Sequence, residues 1–205
     1  MEIKILQVAP MGTNCYLLCD KTENVCAVID PGGSGKEICA HVKELGYSPC
    51  AVLLTHGHYD HTGGVAELRE TWPEIPVYIS RHDQPRWDSY LEHLFPPLED
   101  TLDYGEGDTI SVGSLTVDVL ATPGHSEGSV TLRCGRVLFC GDTLFAGSCG
   151  RTDLAGGSMR TILSSLKRLG ELEGDWQVLP GHMEPSTMER ERKTNPYLMQ
   201  ALAGR

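Results

Sequence analysis

The sequence of 205 residues lacks any apolar run long enough to cross a membrane. Runs such as Ala51–Leu54 and Val137–Cys140 are far shorter than the roughly 20 residues that a membrane helix needs. The start, Met1–Gln7, also lacks the basic residues and long apolar centre of a secretory signal. We therefore expect no membrane partner and a cytoplasmic location.

Clustered positive charge is also missing. The chain has 17 Lys and Arg residues against 28 Asp and Glu residues, for a net charge of -11, and no dense basic run. A nucleic-acid surface needs clustered cations to neutralise phosphates. The composition therefore predicts no nucleic-acid partner, whereas an anionic small substrate would need one local cation.

The eight cysteines include no Cys-x-x-Cys pair and are scattered along the chain. Together with the missing secretory signal, this scatter argues against a disulfide framework. Linkers, low-complexity segments and sequence repeats are absent as well. The chain is long enough to bury a core, so we predict a single domain spanning residues 1–205.

Short apolar runs bounded by turn residues predict a series of strands. They are Ile3–Val8, Asn14–Cys19, Val25–Ile29, Ala51–Leu54, Pro76–Ser80, Thr109–Val112, Leu115–Ala121, Ser129–Arg133, Val137–Cys140 and Gln177–Leu179. Helices are predicted between a Ser34 cap and Gly46, over Val65–Thr71, in part of Arg81–Leu94, over Met159–Leu169 and over Thr187–Lys193. A series of strands accompanied by a helix occurs twice along the chain. This order favours an α+β fold of two packed sheets covered by helices on both outer sides.

The densest polar feature follows the strand Ala51–Leu54. Residues His56, His58, Asp60 and His61 lie within six positions, just before two glycines. Imidazole and carboxylate groups are ligands for zinc, iron and manganese. Residues two apart point the same way in extended chain but to nearly opposite faces of a helix. The spacing therefore predicts a metal-binding loop that leaves a buried strand.

Three later groups share this context, since each follows an apolar strand and has a neighbouring glycine. They are His125, Asp142 and His182. Loops at strand ends bring side chains from distant parts of a sequence to one site. Structural zinc sites close with four ligands and are rich in cysteine, so seven candidate ligands predict an open metal site instead. The remaining histidines, His41, His82 and His93, lack such neighbours and are predicted to have no special role.

In this order the seven residues, with Gly12–Tyr16 and Asp30–Gly32, resemble the motifs of the metallo-β-lactamase superfamily over nearly the whole chain. The resemblance implies a four-layer αβ/βα sandwich with the metals at one edge, between the sheets. It implies that His56, His58 and His125 hold one metal, that Asp60, His61 and His182 hold a second, and that Asp142 bridges them. Nitrogen and oxygen donors accept zinc, iron or manganese, and we expect two divalent ions, with zinc the first choice.

The segment Gly141–Asp153 narrows the resemblance. It is similar to small bacterial glyoxalase II-like hydrolases and to persulfide dioxygenases, which both act on thiol conjugates. The β-lactam-cleaving class with cysteine at the position of Asp142 is disfavoured. The ending Glu191–Pro196 resembles both groups too, and we expect it to tie down the terminal helix. The chain stops soon after His182, without the helical domain that supplies glutathione contacts in longer glyoxalase II enzymes.

The function predicted from these features is a hydroxyacylglutathione hydrolase-like thioesterase, acting on a small thioester. A metal-bound hydroxide would attack the thioester carbonyl, with Asp60 orienting it as well as binding metal. Arg151 is the predicted contact for a substrate carboxylate, with an internal ion pair to Asp153 as an equal alternative. Ser126 and Thr143 are expected to hydrogen-bond around the ligands.

Two other enzymatic functions compete with this prediction. A mononuclear iron persulfide dioxygenase would use only His56, His125 and Asp142, a set of two histidines and one carboxylate. A lactone or ester hydrolase would use the same dinuclear site. The sequence carries no signal for the oligomeric state.

Overall fold

Two mixed β-sheets lie at the centre of the fold. The computed structural model describes residues 1–83 and 97–204, and within them each sheet has six strands. The first sheet has the order β1 (Glu2–Val8), β2 (Thr13–Asp20), β3 (Val25–Ile29), β4 (Ser48–Leu53), β5 (Val77–Ile79) and β6 (Leu102–Asp103). Its first three strands are antiparallel, and β3 to β6 run parallel to one another.

The second sheet is built by the later part of the chain. It has the order β14 (Ser186–Thr187), β13 (Gln177–Pro180), β10 (Val137–Gly141), β9 (Val130–Cys134), β8 (Leu115–Ala121) and β7 (Thr109–Val112). A short hairpin of β11 (Leu144–Phe145) and β12 (Ser148–Cys149) stands apart from both sheets. The helices are α1 (Gly35–Leu45), α2 (Tyr59–Thr62), α3 (Val65–Thr71), α4 (Met159–Gly170), α5 (Met188–Thr194) and α6 (Pro196–Leu202).

Alternating side chains on buried strands create the four layers. On β2, Tyr16 faces the second sheet, where its ring lies 5.3 Å from that of Phe139 on β10. The next residue, Leu17, faces outward into a core that includes residues of α1 and α3. On β10, Leu138 likewise faces a third core that includes residues of α4, α5 and α6. Because side chains alternate along a strand, each sheet packs on the other sheet and on its own helices. The predicted αβ/βα sandwich is confirmed.

The predicted strands are all present, with ends shifted by at most three residues. Helix α1 begins and ends as predicted, but the expected Ser34 cap is wrong. Ser34 has a left-handed backbone, with φ of 54°, and its side chain makes no capping bond. Instead, the Glu67 carboxylate accepts a 3.1 Å hydrogen bond from the Lys36 N–H in the first turn. A distant acidic residue therefore does the work that a local cap was expected to do.

The C-terminal residues hold the β11–β12 hairpin. The Glu191 carboxylate is buried and accepts hydrogen bonds from the Gly147 N–H (2.8 Å) and the Asn195 amide (2.9 Å). The same amide donates to the carbonyls of Phe145 and Ser148. The expected structural tie by this segment is therefore present, and it fastens the hairpin as well as α5.

Several elements were not predicted from the sequence. Helix α6 was missed, although Asn195 caps it by accepting bonds from the N–H groups of Tyr197 and Leu198 and proline follows as its first residue. Strands β6, β11, β12 and β14, of two residues each, and helix α2 were also missed. The predicted helix Arg81–Leu94 starts as a single 3-10 turn, Arg81–Asp83. Its later residues, including His93, lie outside the described part of the chain.

Two further findings concern cysteines and membranes. All eight cysteines are free, and six of them are buried. Among residues 1–83 and 97–204, none of the helices is both long and apolar enough to pass through a membrane.

Candidate metal centre

The histidine-rich loop begins where β4 ends. His56 lies in a bend after the strand and His58 has an extended backbone, both in the loop that was predicted, but Asp60 and His61 lie on the one-turn helix α2. The His61 N–H donates to the His58 carbonyl at 2.9 Å and so closes this turn. All four residues are buried, with at most 9% of each residue exposed. The helical turn changes the direction of the Asp60 and His61 side chains. The spacing of an extended chain did not predict this change.

The other candidate ligands arrive on loops of the second sheet. His125 follows β8, Asp142 follows β10 and His182 follows β13. Gly141, just before Asp142, has φ of 47°, and a Cβ there would lie 2.2 Å from the Thr55 hydroxyl oxygen. Because only glycine tolerates both the left-handed backbone and this close approach, Gly141 lets the Asp142 loop contact the histidine-rich loop.

The seven residues form three overlapping groups in which one donor atom from each residue lies within 4.8 Å of the others. The first triad is His56, His58 and His125; the middle triad is His56, His61 and Asp142; the third triad is Asp60, His61 and His182. The first and third contain the residues that the resemblance assigns to the two metals. The middle triad connects them through shared histidines.

Asp142 lies between the two outer triads. One carboxylate oxygen is 3.3 Å from His61 Nε2, and the other is 3.5 Å from His125 Nε2 and 3.6 Å from His182 Nε2. The third triad is equally tight, since His182 Nε2 lies 3.1 Å from the Asp60 carboxylate. The geometry therefore agrees with a bridging position for Asp142, although its role as a ligand stays a prediction.

Several donor atoms have no other partner. Within the described residues, His56 Nε2, His61 Nε2 and the Asp142 Oδ1 atom are buried and make no hydrogen bond. Buried polar atoms are nearly always paired, and leaving one unpaired costs about 1–3 kcal/mol. A divalent cation satisfies such atoms, and nitrogen and oxygen donors are the ligands it takes. The residues present therefore fit a metal centre.

Electrostatics around the cluster favour a bound cation. Burial lowers the pKa of His56 well below its usual value and, with His125 close by, lowers the pKa of His58 to about 3. Both imidazoles are thus neutral, which is the form that binds metal. Burial also opposes charge on His61, but the Asp142 and Asp30 carboxylates outweigh it and raise the His61 pKa well above its usual value. These two carboxylates thus attract positive charge to the middle of the cluster.

The outer ring nitrogens of three ligands contact groups that fix ring orientation. His61 Nδ1 lies 3.0 Å from the Asp30 carboxylate, which also accepts bonds from the N–H and hydroxyl of Thr55. His56 Nδ1 lies 3.2 Å from the Thr55 hydroxyl, and His125 Nδ1 lies 2.8 Å from the Arg151 carbonyl. Each remaining ring nitrogen, Nε2, then belongs to a triad. Sequence reasoning used Asp30 only as part of the family resemblance and missed Thr55.

Asp83 was also missed. This carboxylate is 3% exposed and accepts hydrogen bonds from the Gly57 N–H (3.0 Å), the Ser126 hydroxyl (2.6 Å) and the Gly128 N–H (2.6 Å). Burial raises its pKa. Gly57 lies between two ligands and Ser126 follows His125, so Asp83 joins the two loops of the first triad. No local motif marks it, because all of its partners are distant in sequence.

Ser126 and Thr143 were expected to hydrogen-bond around the ligands. Ser126 bonds to Asp83 and Ser129, and so supports the His125 loop indirectly. The Thr143 hydroxyl donates to the carbonyl and approaches the hydroxyl of Thr122.

Arg151 lies beside the cluster with its guanidinium group 62% exposed. Its Nε and Nη2 atoms donate to the two Asp153 carboxylate oxygens at 2.7 and 2.8 Å. The internal ion pair weighed from the sequence is therefore present. The substrate-binding role of Arg151 stays a prediction.

A cavity of about 530 Å³ lies directly in front of the cluster. Ligands from the first and third triads and Asp142 line its floor. Its wall includes Met11, Tyr59, Phe145, Arg151, Leu154 and Met183. This volume suits a small molecule, so the donor cluster is accessible to a substrate from one side.

The comparisons with known proteins agree with this geometry. A family model described as the metallo-beta-lactamase superfamily matches residues 8–182. A probable metallo-hydrolase of Bacillus subtilis, YqgX, is 36% identical, with 97% of this chain and 98% of that protein covered. The hydroxyacylglutathione hydrolase GloC of Haemophilus influenzae is 31% identical, with 97% and 98% covered.

Solved structures give the same result. BLEG-1, a B3 metallo-beta-lactamase, superposes with a TM-score of 0.86 and 32% identity, covering 96% of this chain and 99% of its own. TTHA1623 in a di-iron-bound form superposes with a TM-score of 0.84 and 34% identity, covering 95% and 99%.

Proposed function

This chain belongs to the metallo-β-lactamase superfamily and is a metallo-hydrolase, and we propose that it is a dinuclear thioesterase. Its proposed substrates are S-(2-hydroxyacyl) thioesters of a small thiol. The observation that carries the proposal is the overlap of the three triads, in which His56 and His61 are shared and Asp142 stands between the outer sets. Seven donors in one connected cluster suit two cations better than one.

Two divalent cations held by these seven residues would supply hydroxide near neutral pH and polarise a carbonyl group. Asp60 is the proposed catalytic residue of the chain itself. Its Oδ2 atom is held by the Thr13 hydroxyl at 3.3 Å and lies 3.1 Å from His182 Nε2. Burial opposes ionisation, but the contact with His182 keeps the Asp60 pKa below its usual value. The ionised carboxylate can orient the attacking oxygen and accept its proton.

The rest of the reaction needs little from the protein. A thiolate leaves with less acid assistance than an amine, because a thiol is the stronger acid. Cations bound by the cluster would stabilise the developing oxyanion. Burial of His56, His58, His61 and His125 to 4% exposure or less keeps bulk water away from the far side of the centre.

We propose zinc as the first metal to test, with iron and manganese next. The donors are only nitrogen and oxygen atoms, a set that accepts all three. TTHA1623, at 34% identity, was solved in a di-iron-bound form, so iron is a realistic alternative. S-D-lactoylglutathione is the first thioester to test, because the relative from Haemophilus influenzae is a hydroxyacylglutathione hydrolase.

A second candidate function uses part of the same cluster. His125 Nε2 lies 3.5 Å from the Asp142 carboxylate, so with His56 these residues also offer the two-histidine, one-carboxylate set of a mononuclear iron persulfide dioxygenase. In that case the third triad would have no metal to hold. The short contacts within the third triad favour a dinuclear hydrolase over the mononuclear dioxygenase. Ester or lactone hydrolysis on the dinuclear site is the nearest variant.

The deciding experiment combines metal analysis with four assays. The protein purified with its metals is analysed for metal per chain, then assayed with S-D-lactoylglutathione, with a lactone, with a β-lactam and for oxygen uptake with glutathione persulfide. Two metals per chain with thioester turnover is the expected result. One iron per chain with oxygen consumption would overturn the proposal in favour of the dioxygenase. Preference for the lactone or β-lactam would reassign the substrate class.

A further inference from the structure

We infer that the preferred thioesters carry an apolar, uncharged thiol part, which rests on Met11 and Met183. This inference rests on the proposed thioesterase function and adds the class of thiol. Both methionines line the cavity in front of the cluster. The acyl part of the proposed substrate is small and polar, so the wide outer wall of the cavity is left for the thiol part.

Exposure makes these two methionines unusual. Met11 is 61% exposed and Met183 is 51% exposed, among the highest values for large apolar residues in the described chain. Exposed apolar side chains that share one cavity wall mark a binding surface more often than scattered ones do. Methionine is well suited to such a surface, because its flexible thioether adapts to apolar groups of different shape.

The backbone fixes both methionines relative to the metal ligands. Met183 follows His182 directly and has a left-handed backbone, with φ of 70°. The buried Asn14 amide holds it by donating to the Met183 carbonyl (2.8 Å) and the Pro180 carbonyl (3.0 Å). Met11 precedes Thr13, whose hydroxyl contacts Asp60. Both side chains therefore belong to the end of the cavity that holds Asp60 and His182.

The charge of the cavity lining argues against a thiol that carries several carboxylates. Of the described residues that line the cavity, Arg151 is the one Lys or Arg. Its guanidinium already donates two hydrogen bonds to Asp153. Glutathione carries two carboxylates, so it would compete with Asp153 for this group and leave its other carboxylate without a cationic partner. An uncharged thiol avoids both costs.

Hydrolysis of three lactoyl thioesters tests the inference. They share the acyl group and differ in the thiol: glutathione, N-acetylcysteamine and phenylmethanethiol. We expect kcat/KM for the phenylmethanethiol ester to exceed that for the glutathione ester by at least about tenfold, since apolar contacts of this size discriminate by roughly 10–200-fold. The N-acetylcysteamine ester should fall between them.

Polar variants of the two methionines test whether they form the surface that binds the thiol part. Met11→Gln and Met183→Gln keep the length of the side chain but remove its apolar character. Each should lower kcat/KM for the phenylmethanethiol ester about fivefold and change that for the glutathione ester less than twofold. Met199→Gln is the matched control, because Met199 is 48% exposed on α6 and does not line the cavity. It should change neither value.

Binding gives a readout that does not require turnover. Calorimetry with S-(2-hydroxypropyl) thioethers of phenylmethanethiol and glutathione, on the protein with and without its metals, should show tighter binding of the first. Met183→Gln should remove most of the difference.

The possible failures are distinct. If no thioester is hydrolysed, the proposed function fails, and the thioether binding still decides the inference. If the glutathione ester is preferred and the methionine variants are silent, the inference is wrong while the thioesterase stands.

Discussion

The first triad offers three imidazoles, whereas the third offers two imidazoles and the Asp60 carboxylate, and the two triads also differ in exposure. His56, His58 and His125 are at most 4% exposed. Groups outside the cluster hold this triad, namely Thr55, the Arg151 carbonyl and, through the loops, Asp83. In the third triad the side chain of His182 is 23% exposed and that of Asp60 is 13% exposed.

The contacts of His182 explain why this difference matters. Its Nε2 atom approaches Asp60 and Asp142, which are themselves candidate ligands. Asp30 and Thr13 also hold His61 and Asp60 from outside the cluster. The two triads therefore differ chiefly in exposure, because His182 and Asp60 of the third are open to the cavity. We expect the metal of the first triad to be the firmly held one. The metal of the third triad should exchange more readily and meet the substrate.

Removing Asp142, the carboxylate between the two outer triads, should abolish the expected difference in metal affinity between them. Asp142→Ala takes away the residue that lies within 3.6 Å of histidines from both outer triads. We expect loss of both metals and a fall in kcat of at least about 10³-fold, because the metal-bound hydroxide is lost. Metal content and thioester turnover are measured together. Retention of both metals would contradict the bridging assignment.

Disrupting only the third triad should remove one metal and leave the other bound. His182→Ala is expected to leave one metal per chain and to reduce activity by at least about 10²-fold, because loss of a direct ligand should cost no less than the roughly 10–100-fold that loss of an outer-shell partner costs. His41→Ala is the control, because His41 lies on α1, outside every triad. Unchanged activity with one metal would show that the second metal is dispensable.

The support of the first triad can be weakened without touching a ligand. Asp83→Ala leaves the N–H groups of Gly57 and Gly128 without their acceptor, so stability should fall by roughly 1–3 kcal/mol per group. We also expect metal affinity to fall by roughly 10–100-fold at the first triad, with a smaller change at the third.

Competition with a chelator, followed metal by metal, measures the effect of Asp83. Asp118→Ala, which removes a partly buried partner of Arg133 far from the site, controls for general destabilisation. Asp83→Asn should recover part of the affinity, because an amide keeps one acceptor oxygen. An equal loss at both triads would show that Asp83 does not act on the first triad selectively.

The smallest expected effect is on substrate binding at the Arg151–Asp153 ion pair of the cavity. Asp153→Asn should free Arg151 from an exposed ion pair, which solvent screens and which is therefore weak. The KM for the glutathione ester should fall by no more than about fivefold, with little change for an uncharged ester. A KM that stays constant for both would remove Arg151 from substrate binding.

The sequence predicted the residues of the three triads better than the residues that support them. His125, Asp142 and His182 were identifiable because each is a polar residue beside glycine at the end of an apolar strand. Parallel and antiparallel strand ends gather such residues at one edge. Asp83 and Thr55 gave no such signal, since their partners are fixed by long-range packing of two loops. The Ser34 cap failed for a similar reason, because Glu67 is 31 residues away from the amide it binds.

The hairpin tie made by Glu191 and Asn195 has a consequence for synthesis. All seven candidate ligands lie between positions 56 and 182, yet Phe145 and Ser148 of the cavity wall are fastened by Asn195, which is synthesised later. Because a chain is made from its N-terminus at about 5–20 residues per second, a nascent protein has its ligands before this wall is secured. The residues of the candidate metal centre are therefore complete in the chain before the residues that fasten the cavity wall.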